Sequence, residues 1–521
     1  MAPMTREKRK LGQYFTPPGV AAQMVRLLRG PKSQAVLEPS AGEGVFLDAL
    51  AAADYRDVCG VEIDAELASR PQPFAVEQAS FVTWCAPRQF GAVIGNPPYV
   101  RWRELEHAAQ QEVKQHPLWG KLFNSLSDYL TVFIANAVEM LADGGELVFI
   151  TPSFWLHTQH SESLRGWLLE RGSFTDMVEF GEAQVFPNVS SAIIIFRFER
   201  GSRSELIRRF KYHGRSAPRS DDLDLFDPEQ FAIDEIPAFR PAAHWTVASS
   251  DEQEIANRLE RSCRQSGGGA VALVGEFAHI ANGMVSGLDK AFSYQVGDST
   301  NLTAAECRAL MPVAKARHLD RLRPLTLSSY LDIPAGLTAT EFRHDYPNFY
   351  RHIAPHRGQL QKRFTYGKNI ADWEWAFPRS EHFLRSMVWK GFVPCKERLT
   401  CREYVRFALV PPGVVATQDV TAFAPLPGVR ESVEYLVGYL SLPAVSRWIR
   451  IRGLMRGGVA EFSERPLASI PFRYIDWSDP RDIQLHDAVS HAVRGAQRPN
   501  ADGACERVAQ LFAGVASRPV V

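Results

Sequence analysis

Asn96-Pro97-Pro98-Tyr99, closing the apolar run Ala92-Val93-Ile94-Gly95, gathers the residue types that make an aromatic amino nitrogen nucleophilic. The exocyclic nitrogen of adenine is a poor nucleophile because its lone pair is delocalised into the ring. Acceptors on both of its hydrogens draw it toward sp3 geometry and free the pair. The Asn96 side-chain oxygen and the Pro97 carbonyl supply two such acceptors. Pro97 and Pro98 have fixed φ and no N–H, which makes a stiff turn with outward carbonyls, and Tyr99 offers a flat face for a base lifted from its stack. Asn and Pro are also ordinary turn residues, so the reading depends on what precedes them.

Upstream, residues 36–47 read as a short apolar strand, a small-residue turn and an amphipathic helix. The turn is Glu38-Pro39-Ser40-Ala41-Gly42-Glu43-Gly44. Its glycines admit a ligand close to the backbone, and the amides opening the helix suit a carboxylate. Cys59-Gly60-Val61-Glu62-Ile63-Asp64 then repeats a strand that ends in an acid, where Glu62 would accept both hydroxyls of a ribose and Ile63 would cover one face of an adenine. A dinucleotide site fits the strand spacing, but the three-glycine spacing that admits a pyrophosphate is missing. A nucleoside with a charged tail fits better.

These turns need a scaffold, and the apolar pattern predicts one. Strands near 35–38, 58–63, 92–95, 146–151 and 176–180 alternate with helices near 19–29, 45–53, 126–142 and 161–171, the pattern of a mostly parallel sheet covered on both faces. Residues 190–198 form a good final strand. Residues 100–125 are polar and irregular and read as a loop over the site, and 201–243, rich in Pro and Asp, as a connection. The expected division is 1–200, 201–243 and 244–521.

The 521 residues are too many for one core. Seven cysteines (Cys59, Cys85, Cys263, Cys307, Cys395, Cys401, Cys505) include no Cys-x-x-Cys pair, so neither a disulfide framework nor a metal site is indicated, and a reducing cytoplasm fits. No apolar stretch approaches the roughly twenty residues that span a bilayer. Net charge is zero but unevenly held: 18 Lys and Arg face 23 Asp and Glu in residues 1–200, against 41 and 36 afterwards. Lys315, Arg317, His318, Arg321 and Arg323 form one basic cluster, and Arg351, His352, His356, Arg357, Lys362 and Arg363 another, near Phe364, Tyr366, Trp373 and Trp375. Basic groups among aromatics suit phosphate contact, although a charged surface over an ordinary core has the same composition.

Taken in order, the motifs resemble the gamma-class adenine-N6 DNA methyltransferases of type II restriction-modification systems, over roughly residues 11–200. Leu11 to Pro18 resembles the family's N-terminal cofactor segment, which implies that Thr16 touches the methionine end of S-adenosylmethionine. The resemblance implies a Rossmann-like methyltransferase domain with a mostly parallel seven-stranded sheet, its strand near 190–198 antiparallel, followed by a mixed α+β target-recognition domain. It assigns Glu38, Pro39, Ser40, Ala41, Gly42, Glu62, Ile63, Phe81 and Phe133 to the cofactor, Asn96 to Tyr99 to catalysis, and Tyr14, Tyr99 and Phe186 to the target base. One position departs. Where the family carries an acid that bonds the cofactor's adenine amino group, this chain has Ser80, a neutral and weaker acceptor.

The C-terminal part ends as family members do, with Arg450-Ile451-Arg452-Gly453-Leu454-Met455-Arg456-Gly457-Gly458, and Arg452 and Arg456 join Arg317, Arg321 and Arg357 as candidates for DNA. The implied activity is direct methyl transfer to an adenine flipped out of double-stranded DNA, by a monomer in a prokaryotic cytoplasm. No Asp…Glu-x-Lys nuclease pattern is found, so a companion restriction endonuclease is expected to be encoded separately. The same tetrapeptide serves enzymes that methylate RNA or glutamine side chains, and a DNA-binding protein that uses S-adenosylmethionine only as an effector is a further alternative.

Overall fold

The computed structural model describes residues 15–514, apart from 87, 182, 187–191, 215, 217, 219–221, 242–244, 265–268, 296–300, 324, 401, 457 and 498–502. They form two compact units, Met1–Glu252 with Arg456–Gly458, and Gln253–Met455 with Val459–Val521.

The first unit is built on one sheet. Its elements are α1 (Pro18–Arg26), β1 (Val36–Glu38), α2 (Val45–Ala52), β2 (Val58–Glu62), α3 (Ala65–Ala68), β3 (Val76–Gln78), β4 (Phe90–Gly95), α4 (His107–Gln115), α5 (Tyr129–Met140), β5 (Leu141–Pro152), α6 (Glu162–Arg171), β6 (Gly172–Glu179), β7 (Ile193–Arg200), β8 (Leu206–Tyr212) and β9 (Phe231–Pro237). The strand order is β3-β2-β1-β4-β5-β7-β6-β8-β9. β3, β2, β1, β4 and β5 run parallel, and β7 lies antiparallel between β5 and β6.

Alternation along the central strands sorts the core into two layers. Val36, Ala92, Ile94, Val148 and Ile150 pack with Met24 of α1 and Leu47 of α2, whereas Leu37, Val93, Leu147 and Phe149 pack with Ile134 of α5 and Leu164 of α6. Successive side chains of a strand point to opposite faces, so a strand covered on both sides reads as a continuous apolar run. That is why β1, β4 and β5 were visible in the sequence.

Two expectations are corrected. The sheet has nine described strands rather than seven, because residues 201–243 carry β8 and β9, with β8 parallel to β6 and β9 antiparallel to β8. Their charges hid them: Arg208 pairs with Asp176, and Arg209 with Asp234 and Glu252, so side chains that read as solvated are held within the unit. Residues 100–125 are not simply irregular either, since α4 lies within them.

The second unit is α+β. Among its described residues one sheet joins Ala278–Asn282, Val420–Pro425, Lys390–Pro394 and Ala408–Val410, and another joins Ser293–Tyr294, Ser328–Leu331, Leu310–Ala314 and Val415–Ala416. Leu436, Leu440, Val489 and Val508 from three helices bury against Val393, Leu409 and Phe423 of the first of these sheets. Among the described residues no helix is long and apolar enough to cross a membrane, and no cluster of His, Cys, Asp and Glu is arranged to hold a metal.

Candidate active site

Parallel strands deliver their C-terminal ends to one edge of the sheet, and the residues singled out by spacing are carried there by β1, β2 and β4. After β1 the chain turns sharply through Gly42 (φ 55°) and Gly44 (φ 87°) into α2, conformations that side chains rarely adopt. The Gly42 N–H then donates to the Glu62 carboxylate at 2.8 Å, and the Asp64 N–H donates to its other oxygen at 2.9 Å. Each carboxylate oxygen has a second acceptor site. Glu62 is thus fixed by the backbone with lone pairs left for two hydroxyls.

β4 ends in the Asn96 turn, which is tied to both neighbouring loops. Ser40 Oγ donates to the Asn96 main-chain carbonyl at 3.0 Å, and Asn96 Nδ2 donates to Thr16 Oγ1 at 3.1 Å. The Tyr99 hydroxyl, with a single proton, meets two acceptors, the Ile150 carbonyl at 2.8 Å and Asn96 Oδ1. Phe186 is buried edge-on to Tyr99, with ring centroids 6.5 Å apart at 62°, a corner rather than a parallel slot. Tyr14 lies outside the described residues.

Asn96 shares one cavity of about 990 Å³ with the glycine turn and Glu62, whereas Pro97, Tyr99 and Phe186 are not among its lining residues. Thr16, Glu38, Pro39, Ser40, Ala41, Gly42, Asn96 and Pro98 line it together with Glu62, Ile63, Phe81 and Phe133. Ile63 is 50% exposed, unusual for so apolar a side chain next to a buried acid. Phe81 and Phe133 lie 5.0 Å apart. Glu38 is buried, and its Oε2 has no hydrogen-bond partner among the described residues. Burial and the nearby Glu62 carboxylate push the Glu38 carboxyl well above the usual range. Glu62 is raised by burial, an effect opposed by the Asp64 and Gly42 N–H groups. A buried acid facing a cavity without a cationic partner suits a positively charged ligand.

The chain also matches known proteins. Residues 52–186 match the Eco57I restriction-modification methylase family. Over 497 residues the chain is 35% identical to the type II methyltransferase M.HindII of Haemophilus influenzae, with 94% of each chain covered, and over 488 residues it is 35% identical to M.HincII of the same species, again with 94% of each covered. The chain belongs to the gamma-class adenine-N6 DNA methyltransferases of restriction-modification systems. The methyltransferase uses S-adenosylmethionine as methyl donor and acts site-specifically on DNA. Its fold is shared with the type IIL restriction-modification enzyme MmeI, solved in complex with DNA, at a TM-score of 0.61 and 10% identity, covering 96% of this chain and 72% of that one.

Three placements in the methyltransferase differ from simple motif reading. Ser80 does not line the cavity, and its hydroxyl donates to Glu112 Oε2 at 2.6 Å. Glu112, on α4, does line it, together with Ala108 and Ala109. The spacing of Ala108, Ala109 and Glu112 on one helical face was the available signal, obscured by the polar residues around it. Phe15 and Tyr129 also line the cavity, and neither was singled out.

The basic candidates of the second unit are more varied. Arg317 is exposed, and its Nε–H donates to His318. The Arg321 guanidinium stacks over Tyr404 at 5.0 Å, and that of Arg357 over Tyr350 at 4.6 Å, 3.7 Å from Asp372. Arg452 is engaged by Glu260 and by Asn257. The Arg456 side chain lies outside the described residues. Within the clusters, Lys315 pairs with Asp289 and Asp419, and Arg363 donates to the Ser286, Ala371 and Glu374 carbonyls, so both hold the fold. Phe364 and Tyr366 are exposed, whereas Trp373 and Trp375 are buried.

Proposed function

We propose that the cavity of the first unit is where S-adenosylmethionine and a flipped adenine meet, in a Rossmann-like domain whose partner, the second unit, reads the DNA target. The observation that carries this reading is the position of Asn96. Its side chain meets Thr16 and Tyr99, and its carbonyl is held by Ser40 of the glycine turn, in one cavity with Glu38 and Glu62.

The donor supplies a methyl on a sulfonium, already a good leaving group. Glu38 offsets positive charge at the methionine end near Thr16, with Pro39, Ser40, Ala41 and Gly42 shaping the turn around it. Glu62 accepts from the ribose hydroxyls, and Ile63, Phe81 and Phe133 supply apolar faces for the adenine. On the other side Asn96 Oδ1 and the Pro97 carbonyl accept the two amino hydrogens of the target base, with Pro98 stiffening the turn. Tyr99 offers a stacking face, and Phe186 an edge beside it. Unstacking a base costs a few kcal/mol, which such contacts offset in part. Alignment of nitrogen, carbon and sulfur then provides most of the acceleration.

Arg317, Arg321 and Arg357, with Arg452 and Arg456 in the C-terminal run, are the candidate DNA contacts, and the rings of Phe364 and Tyr366 are exposed in the same unit. We further infer action as a cytoplasmic monomer beside a companion endonuclease encoded separately, the last of these supported by relatives named as methyltransferases that match over 94% of each chain.

The test is an Asn96→Ala variant assayed with tritiated S-adenosylmethionine and unmodified plasmid. Methylation should fall by about 10²–10³, the usual effect of deleting a preorganised polar group at the reacting centre. Cofactor binding measured by calorimetry should stay within a few-fold. Undiminished methylation by the variant would overturn the assignment, and single-molecule sequencing of the wild-type product would locate the N6-methyladenine within its motif.

A further inference from the structure

The cavity has an acidic wall that no strand-end motif supplies. α4 presents Glu112 to it, the Ser80 hydroxyl donates to Glu112 Oε2 at 2.6 Å, and Tyr129 stands alongside. Burial pushes the Tyr129 phenol up to about 12, with the adjacent Glu112 carboxylate adding to the rise and Ser80 opposing it. Tyr129 stacks edge-on to Phe133 at 5.2 Å, and Phe133 meets Phe81 at 5.0 Å. Glu112 is therefore next to the aromatic group of the cavity, whose wall also carries the Glu62 carboxylate.

We propose that Glu112, not Ser80, accepts the amino group of the cofactor's adenine, and that Ser80 is a positioning residue that holds the Glu112 carboxylate at the cavity wall. This rests on reading the cavity as the cofactor site. An ionised carboxylate is acceptor-only, so it matches a 6-amino purine, which donates, and repels a 6-oxo purine, whose oxygen also only accepts. The hydroxyl of Ser80 is not placed to make that contact, because its side chain does not line the cavity and its one proton is directed to Glu112. The acid that selects adenine thus comes from the segment following the catalytic turn rather than from the loop after β3. A base-selective contact on α4 would link the order of that helix to the presence of the cofactor.

The experiment is calorimetric titration of the full-length protein with S-adenosyl-L-homocysteine and with S-inosyl-L-homocysteine, ligands that differ at the 6-position. Wild type should favour the adenosyl ligand by about 10–100-fold, the range of one charged hydrogen bond gained or lost. Glu112→Gln, which keeps the side-chain shape and can either donate or accept, should bring the two affinities within about fivefold of each other, and Glu112→Ala should do the same. Ser80→Ala should weaken the adenosyl ligand a few-fold while keeping part of the preference. A wild-type ratio retained in both Glu112 variants, with tight adenosyl binding, would overturn the role of Glu112 and leave the cofactor site standing. Failure of wild type to bind S-adenosyl-L-homocysteine would overturn the cofactor site itself and this proposal with it.

Discussion

The sheet of the first unit carries two sets of buried carboxylates, and the fold treats them in opposite ways. Glu146 on β5 and Asp176 on β6 are surrounded by donors: Arg197 reaches both, Arg29 and Arg208 bind Asp176, and the Arg29 and Gly30 N–H groups point at Glu146. Glu38 and Glu62, at the ends of β1 and β2, have no ion pair among the described residues, and burial raises both. The first set joins the segment after α1 to β5, β6, β7 and β8. The second places two carboxyls at a cavity wall without a cation, and on the proposed reading a bound cation would favour ionised Glu38 while two hydroxyls donate to Glu62. A buried carboxylate is thus structural or functional according to what surrounds it, and its residue type does not decide between them.

The sharpest way to break this contrast is Arg197→Met. It strips both paired acids of a shared cation and should cost about 3–5 kcal/mol of stability, read from urea denaturation. A loss near that of an exposed pair, below about 1 kcal/mol, would remove the distinction. Glu62→Gln should instead act on binding. Loss of the charge weakens two hydrogen bonds to ribose, so S-adenosylmethionine affinity should drop about tenfold by calorimetry, with a much smaller shift of the denaturation midpoint. Tyr99→Phe tests the turn between them. It deletes the donor to the Ile150 carbonyl and should lower stability by about 0.5–1.5 kcal/mol while keeping the stacking face.

Glu38→Gln should give the smallest difference near the acid end of the pH range and a growing one above it. A carboxyl whose folded pKa exceeds its unfolded value makes the native state bind more protons. Stability therefore falls as pH rises from the ordinary carboxylate range to the folded pKa. The glutamine variant lacks that slope, so its ligand-free Tm should match wild type near pH 4 and exceed it near pH 8. A bound cation favours ionised Glu38, so wild-type cofactor binding should release protons in buffers of differing ionisation enthalpy, and the variant should release fewer. Parallel Tm profiles for the two proteins would show that Glu38 is not held protonated by its burial.

Strands β1, β2, β4 and β5 and the turns after them were legible because each is contiguous: an apolar run sets the strand, and the next few residues set the turn. β8 was not, because Arg208 and Arg209 look like surface until Asp176, Asp234 and Glu252 are brought to them from elsewhere in the chain. Glu112 was missed for a similar reason, since a carboxylate in a polar helix has no signature until Ser80 is seen to donate to it. In the second unit the basic clusters were counted correctly as composition, but composition does not separate Lys315, paired with two aspartates, from the exposed Arg317.

The order of local motifs, Gly42 and Gly44 after one strand, Glu62 after the next and Asn96 to Tyr99 after another, was by itself enough to specify the chemistry and the family. Short-range geometry governs such turns, and short-range geometry is written in consecutive residues. Which carboxylates are paired, which arginines are free to meet DNA, and which acid stands beside Ser80 were decided only by tertiary structure. Each depends on partners tens to hundreds of residues away, and charge is satisfied in space rather than along the chain.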